Sequence, residues 1–186
     1  MAPWFRRSSG EADIRRLYAG LVAQARAPAF YQALGVPDSL DGRYEMVALH
    51  VILALRRLKR DGAASAALAQ ALFDHMFADM DRSLREVGVG DLSVGKRVKE
   101  MARGLYGRIA AYEAGLADSD DALAAALARN VYGTVAAPPP AAPPALARYV
   151  RAASARLDAV SVDALLAAPV AWPAVAASAE PVGAAG

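Results

Sequence analysis

Residues 73–112 read FDHMFADMDRSLREVGVGDLSVGKRVKEMARGLYGRIAAY, and the spacing within this stretch decides the fold. Leu72, Phe73, Met76, Phe77, Met80, Leu84 and Val87 recur every three or four residues, the period of one helix face. Asp74, His75, Asp79, Asp81, Arg82, Arg85 and Glu86 fall opposite. The pattern predicts a helix over 64–87, broken by Gly88 and Gly90. Val98, Met101, Leu105, Ile109 and Tyr112 repeat the period and predict a second helix over 94–116. Lys96, Lys99 and Arg103 line its far side as a basic stripe. Ser93 is expected to cap this second helix, and Gly90 to take a positive φ at the corner.

Upstream, Tyr44, Val47, Val51, Ala54, Leu55 and Leu58 form one stripe over 43–59, while Met46, Leu49, Ile52 and Leu53 occupy other faces. A helix apolar nearly all round is a buried one. Residues 11–26 predict a first helix through Ile14, Leu17, Leu21 and Ala25, stopped by Pro28. Downstream, the polar run 118–121 offers caps for a helix reaching Tyr132, with Gly133 as its C′ residue. PPPAAPP over 138–144 reads as a semi-rigid linker, 146–160 as one more helix, and the Ala/Pro/Gly-rich 169–186 as disordered. The expected fold is all-α, an irregular multi-helix bundle with a Pro-rich linker and a disordered C-terminal tail. Its divisions are an N-terminal tail over 1–10, a helical domain over 11–135, the linker over 136–145, a C-terminal helical segment over 146–167 and the tail over 168–186.

Of the 186 residues, 21 are Lys or Arg and 19 Asp or Glu, a balance too even to point to specific nucleic-acid binding. The basic excess sits in residues 1–116 and the acidic excess in 117–186. With no cysteine, disulfides, thiolate metal sites and cysteine nucleophiles are excluded. No run approaches the roughly 18 apolar residues that span a membrane. The N-terminus lacks the apolar core of a signal peptide, so a cytoplasmic protein is expected. Trp4 and Phe5 beside Arg6 and Arg7 fit either a frayed end or a contact with an anionic membrane.

Three constellations were weighed for chemistry. Gly90 to Arg97 approaches a phosphate-binding P-loop, but Arg97 stands where a magnesium-ligating Ser or Thr belongs, and the loop follows a helix instead of a strand. His75 and Asp79, four apart, have the spacing of two metal ligands, but a site needs more, and His50 is the one other histidine. The bland alternative pairs His75 with Asp79 on a solvated surface and packs His50 between helices. Asp79 and Asp81 point about 200° apart on a helix and cannot share a proton. No enzyme, cofactor or metal is therefore expected. What remains is a charged corner: Asp79, Asp81, Arg85, Glu86, Asp91, Lys96, Arg97, Lys99, Arg103 and Arg108 form the candidate partner-binding set. Its two readings are ion pairs that pin the corner and a polar rim for a partner.

Two segments resemble a known family. The first is FYQALGVPD over 30–38, continuing through DGRYEM over 41–46 to Leu49 and His50. The second is QALFD over 70–74, MFADMD over 76–81, LREVGVGD over 84–91, VGKRVK over 94–99, and Tyr106, Gly107 and Arg108 with Ala111 and Tyr112. Together they look like the ubiquinol–cytochrome c chaperone family, with the resemblance covering about residues 28–116. The resemblance implies a non-enzymatic chaperone for the respiratory cytochrome bc complex that binds newly made cytochrome b or another subunit. It further implies work near the ribosome and the membrane, with a small partner protein in mitochondrial members. For this chain it implies a bacterial-type cytoplasm, peripheral at the inner face of the inner membrane. The alternative is a generic helical adaptor without a cytochrome client. A chaperone groove suits flexible Met and aromatic side chains, which makes Met76, Met80, Met101, Phe73 and Phe77 candidates, although such stripes more commonly form core.

Overall fold

The computed structural model describes residues 3–86, 88 and 90–175, with the side chains of 3–9, 91 and 92 outside the description. The described residues form helices α1 (Pro3–Ala25), α2 (Pro28–Gln32), α3 (Leu40–Lys59), α4 (Ala63–Glu86), α5 (Asp91–Ala117), α6 (Asp120–Asn130), α7 (Ala142–Asp158) and α8 (Val162–Ala167), and no strand. The architecture is the expected all-α bundle.

Helix α3 is its axis. Ser39 caps it, its hydroxyl accepting from the Gly42 amide at 3.1 Å. Every residue from Glu45 to Ala54 is buried, as the all-round apolar pattern requires. Helices α1, α4 and α7 pack around it, α5 crosses the α3–α4 side, and α6 bridges α5 and α7. The core gathers Leu21, Phe30, Leu49, Leu72, Tyr112, Leu127 and Leu146, each with no exposed surface. Fully burying each such Leu or Phe contributes about 1.5–3 kcal/mol.

One polar network runs through this core. His50 Nδ1–H donates to Met46 O at 2.7 Å, so Nε2 is the acceptor and the Tyr149 hydroxyl donates to it at 2.8 Å. Gln24 Nε2 donates in turn to the Tyr149 oxygen at 3.1 Å. The chain ties α1, α3 and α7 together, and Phe30 and Trp172 meet the imidazole edge-on at centroid distances of 5.6 and 5.1 Å.

Four expectations need correction. Helical backbone begins at Pro3, inside the stretch expected as a tail; the side chains of Trp4, Phe5, Arg6 and Arg7 lie outside the described residues. Helix α7 begins at Ala142, inside the expected linker, because prolines are well suited to a first helical turn; Ala142 and Pro143 are buried. The tail expected to be disordered is packed through residue 175: Val170, Trp172 and Val175 lie on the core, and Arg156 Nη1 donates to the carbonyls of Ala171 and Trp172, both at 2.9 Å. An aromatic residue and two valines outweigh the Ala/Pro composition there. Residues 176–186 lie outside the described residues. Helix α6 ends at Asn130, so Gly133 falls in the following turn and is not a C′ residue.

Burial holds the His50 imidazole down to about 4 from its usual 6.5, so the neutral ring belongs to the folded state. Its contribution to stability is complete above pH 6.5 and declines as pH falls toward 4. Thermal melts across this window should show a loss from His50 of at most ~1.4 kcal/mol per pH unit, and His50→Asn should flatten that part of the profile.

Candidate functional site

The corner between α4 and α5 turns at Gly88, whose φ of +83° is the left-handed conformation, and not at Gly90. Gly90 is the N-cap of α5, with φ −60° and ψ 143° and no side chain to cap with. Ser93, expected as the cap, lies inside α5, and its amide donates to Gly90 O at 2.8 Å. The stretch that approaches a P-loop is therefore helix from Asp91 onward instead of a loop.

Asp81 pairs with Arg85 at 2.7 Å and Asp79 lies 3.9 Å from Arg82, both along α4. Glu86 is exposed, and the Asp91 side chain lies outside the described residues. Lys96, Arg97, Lys99 and Arg103 are exposed and make no ion pair among the described residues. Lys96, Lys99 and Arg103 project from the side of α5 opposite the buried Val94, Leu105 and Tyr112. The expected His75–Asp79 pair is also absent. Asp79 instead accepts from the Tyr18 hydroxyl at 2.9 Å, and His75 packs edge-on against the Tyr18 ring. Tyr18 comes from α1, 61 residues away in sequence, a partner that helix periodicity cannot reveal. Among the described residues no three His, Asp or Glu side chains gather into a metal site.

Beside the corner lies a groove of about 510 Å³. The start of α3, the last turns of α4, the first half of α5 and the end of α6 enclose it. Met80, Leu84, Met101 and Tyr44 supply its apolar lining, and Asp41, Arg97, Glu100 and Arg129 its charged rim. Leu40, at 58% exposed, stands at its edge. Of the sequence candidates, Arg97 and Arg108 line the groove, whereas Asp79, Asp81, Arg85, Glu86, Lys96, Lys99 and Arg103 do not. The methionines divide: Met80 and Met101 line it, and Met76 is wholly buried. Phe73 and Phe77 form an aromatic pair, and Phe73 lines a second cleft with Tyr106 on the other side of α5.

At the groove's inner end Arg108 grips Glu45 of α3 through two parallel hydrogen bonds, Nε to Oε2 at 2.6 Å and Nη2 to Oε1. Burial pushes the Glu45 carboxyl above the usual carboxylate range, while the Arg108 guanidinium pulls it back down. The guanidinium also sits 5.7 Å from the centroid of the Tyr44 ring, a cation–π contact. The Tyr44 hydroxyl donates to Met101 O at 3.3 Å, and burial pushes that hydroxyl up to about 12. Tyr44, Glu45 and Arg129 were missed as site residues. The one signal available was Glu45, a carboxylate set into an otherwise buried helix.

Comparison with known proteins bears on what such a groove serves. The family model described as ubiquinol–cytochrome C chaperone matches residues 32–172. The ubiquinol–cytochrome c reductase complex assembly factor 1 of Xenopus laevis is 27% identical over 158 residues, covering 84% of this chain and 78% of that protein. The human assembly factor 1 is also 27% identical over 158 residues, but the chain spans about half of its length, 52%. The crystal structure of the Cbp3 homolog from Brucella abortus is 43% identical, with a TM-score of 0.80, and the match covers 92% of this chain and 96% of that one. The curated relatives carry the names of assembly factors and not of enzymes.

The corner itself is open to a direct test. Gly88→Ala should cost about 1–2 kcal/mol, the penalty of a Cβ in the left-handed region. Gly90→Ser should leave stability unchanged or raise it by a few tenths of a kcal/mol, because it adds a capping hydroxyl at a β-region φ/ψ. Urea denaturation of the two variants separates these outcomes.

Proposed function

The chain belongs to the ubiquinol–cytochrome c chaperone family, and we propose that it assists assembly of ubiquinol–cytochrome c reductase by holding newly made cytochrome b. The observation that carries this reading is the solvent-open groove whose apolar lining includes two methionines, Met80 and Met101. Unbranched thioethers adapt to many apolar shapes, which suits temporary shielding of a membrane protein's segments. Charges of both signs on the rim keep an empty groove hydrated and its affinity modest. Holding a client requires surfaces and no catalyst, in keeping with assembly-factor relatives.

The basic stripe Lys96, Lys99 and Arg103 supports a membrane contact within this reading. It is unpaired among the described residues and faces outward, fit to approach the anionic lipid at the cytoplasmic face of the inner membrane. No helix of the described residues is long and apolar enough to cross a membrane, which is compatible with a peripheral contact.

Deleting the gene should lower the cytochrome bc complex and shorten the lifetime of cytochrome b, and tagged protein should recover cytochrome b from solubilised membranes. Normal complex levels, with a soluble partner and no cytochrome b recovered, would instead establish a generic adaptor. Reversing Lys96, Lys99 and Arg103 together to Glu should leave the melting temperature within a few degrees while weakening sedimentation with anionic vesicles. Unfolding of that variant would show the stripe to be structural.

A further inference from the structure

The Glu45–Arg108 pair leaves one arm of the guanidinium unused. Nε and Nη2 are committed to the carboxylate, whereas Nη1 makes no hydrogen bond among the described residues and is absent from the fully buried, unsatisfied atoms. It therefore keeps some accessible surface, on a side chain that lines the groove. Nη1 lies over Gly104, one helical turn earlier, where a Cβ would come within 2.6 Å of it and the end of the side chain would have to shift. Glu45 fixes the guanidinium from one side, Tyr44 lies against it, and the missing side chain at 104 makes room for the free arm. From Arg108 to Arg97 the groove follows α5 for about 16 Å, or three helical turns, past Met101.

We propose that this groove takes an apolar helical segment that carries one hydrogen-bond acceptor oxygen, and that Arg108 Nη1 reads that oxygen. The inference rests on the client-holding function above and names what the groove selects. Apolar contact with Met80 and Met101 holds any segment of suitable width. A fixed donor among apolar side chains discriminates, because an acceptor placed elsewhere along the segment stays unpaired and costs free energy. Arg108 is thus a specificity-determining residue, and Glu45 and Gly104 are positioning residues that act through it.

The test uses the full chain and three Lys-flanked Leu/Ala helical peptides of 18 residues that differ at one central position, Leu, Asn or Asp, with affinity read by fluorescence anisotropy. The Asn and Asp peptides should bind about tenfold more tightly than the Leu peptide, the size of one charge-assisted hydrogen bond. Gly104→Ala keeps the charge and favours helix, yet drives the guanidinium off its seat; it should erase the preference while the Leu peptide binds as before. Arg108→Gln should do the same. If it unfolds because Glu45 is left buried without its partner, Gly104→Ala decides alone. No preference in the wild-type protein, no binding of any peptide, or a preference that survives Gly104→Ala overturns the proposal. Recovery of cytochrome b by the wild-type protein is a separate readout. Its failure sinks the client reading, whereas lost peptide discrimination with cytochrome b still recovered sinks only the role of Arg108.

Discussion

Both nitrogens of a single imidazole are spoken for in the centre of this bundle, and the arrangement of α1, α3 and α7 follows from it. A backbone carbonyl of α3 fixes the tautomer of His50, which leaves Nε2 able only to accept. That acceptor fixes the Tyr149 hydroxyl, whose oxygen then receives the Gln24 amide. Each bond sets the direction of the next, so the network has one hydrogen-bonding pattern and specifies how the three helices meet. Apolar packing alone, in an alanine-rich core, would tolerate several registers. The polar chain selects among them, because any other register buries a polar group without a partner.

The same logic operates a turn earlier on α3, at the protein surface. Glu45 is buried on the helix that forms the axis of the core, and the bidentate grip of Arg108 compensates for burying it. The pair ties α5 to α3 where few other residues of those helices touch. It sits at the inner end of the groove, so a contact the fold requires and the groove lining share one guanidinium. Core and site are built from consecutive turns of one helix.

Much of the fold was legible in the sequence because it is written in local periodicity. The stripes on α3, α4 and α5 and the cap at Ser119, within the polar run 118–121, are properties of residues three or four apart. What was not legible depends on the third dimension. The composition of 138–144 and 169–175 reads as linker and tail, yet α7 starts in the first and Trp172 docks from the second, since a few apolar side chains meeting a prepared surface outweigh the average character of a segment. The candidate site suffered similarly. Charge density drew attention to the α4–α5 corner, where several of those charges satisfy one another within a helix. The groove lies beside the corner and needs Tyr44 and Glu45, whose relation to Arg108 spans 63 residues and leaves no periodic trace. Gly88 and Gly90 are two apart, and composition alone cannot say which of them bends the chain backward.

The packed segment after α8 bears on the order in which the molecule comes into being. Trp172 closes over His50, Arg156 clasps the two carbonyls at 171 and 172, and Arg16 of α1 holds Leu166 O from 150 residues away. During vectorial synthesis the first helices leave the exit tunnel long before these partners exist. The central imidazole therefore stays exposed on one side until the segment around Trp172 has emerged. Closing the centre of the bundle thus depends on a segment synthesised after the eight described helices.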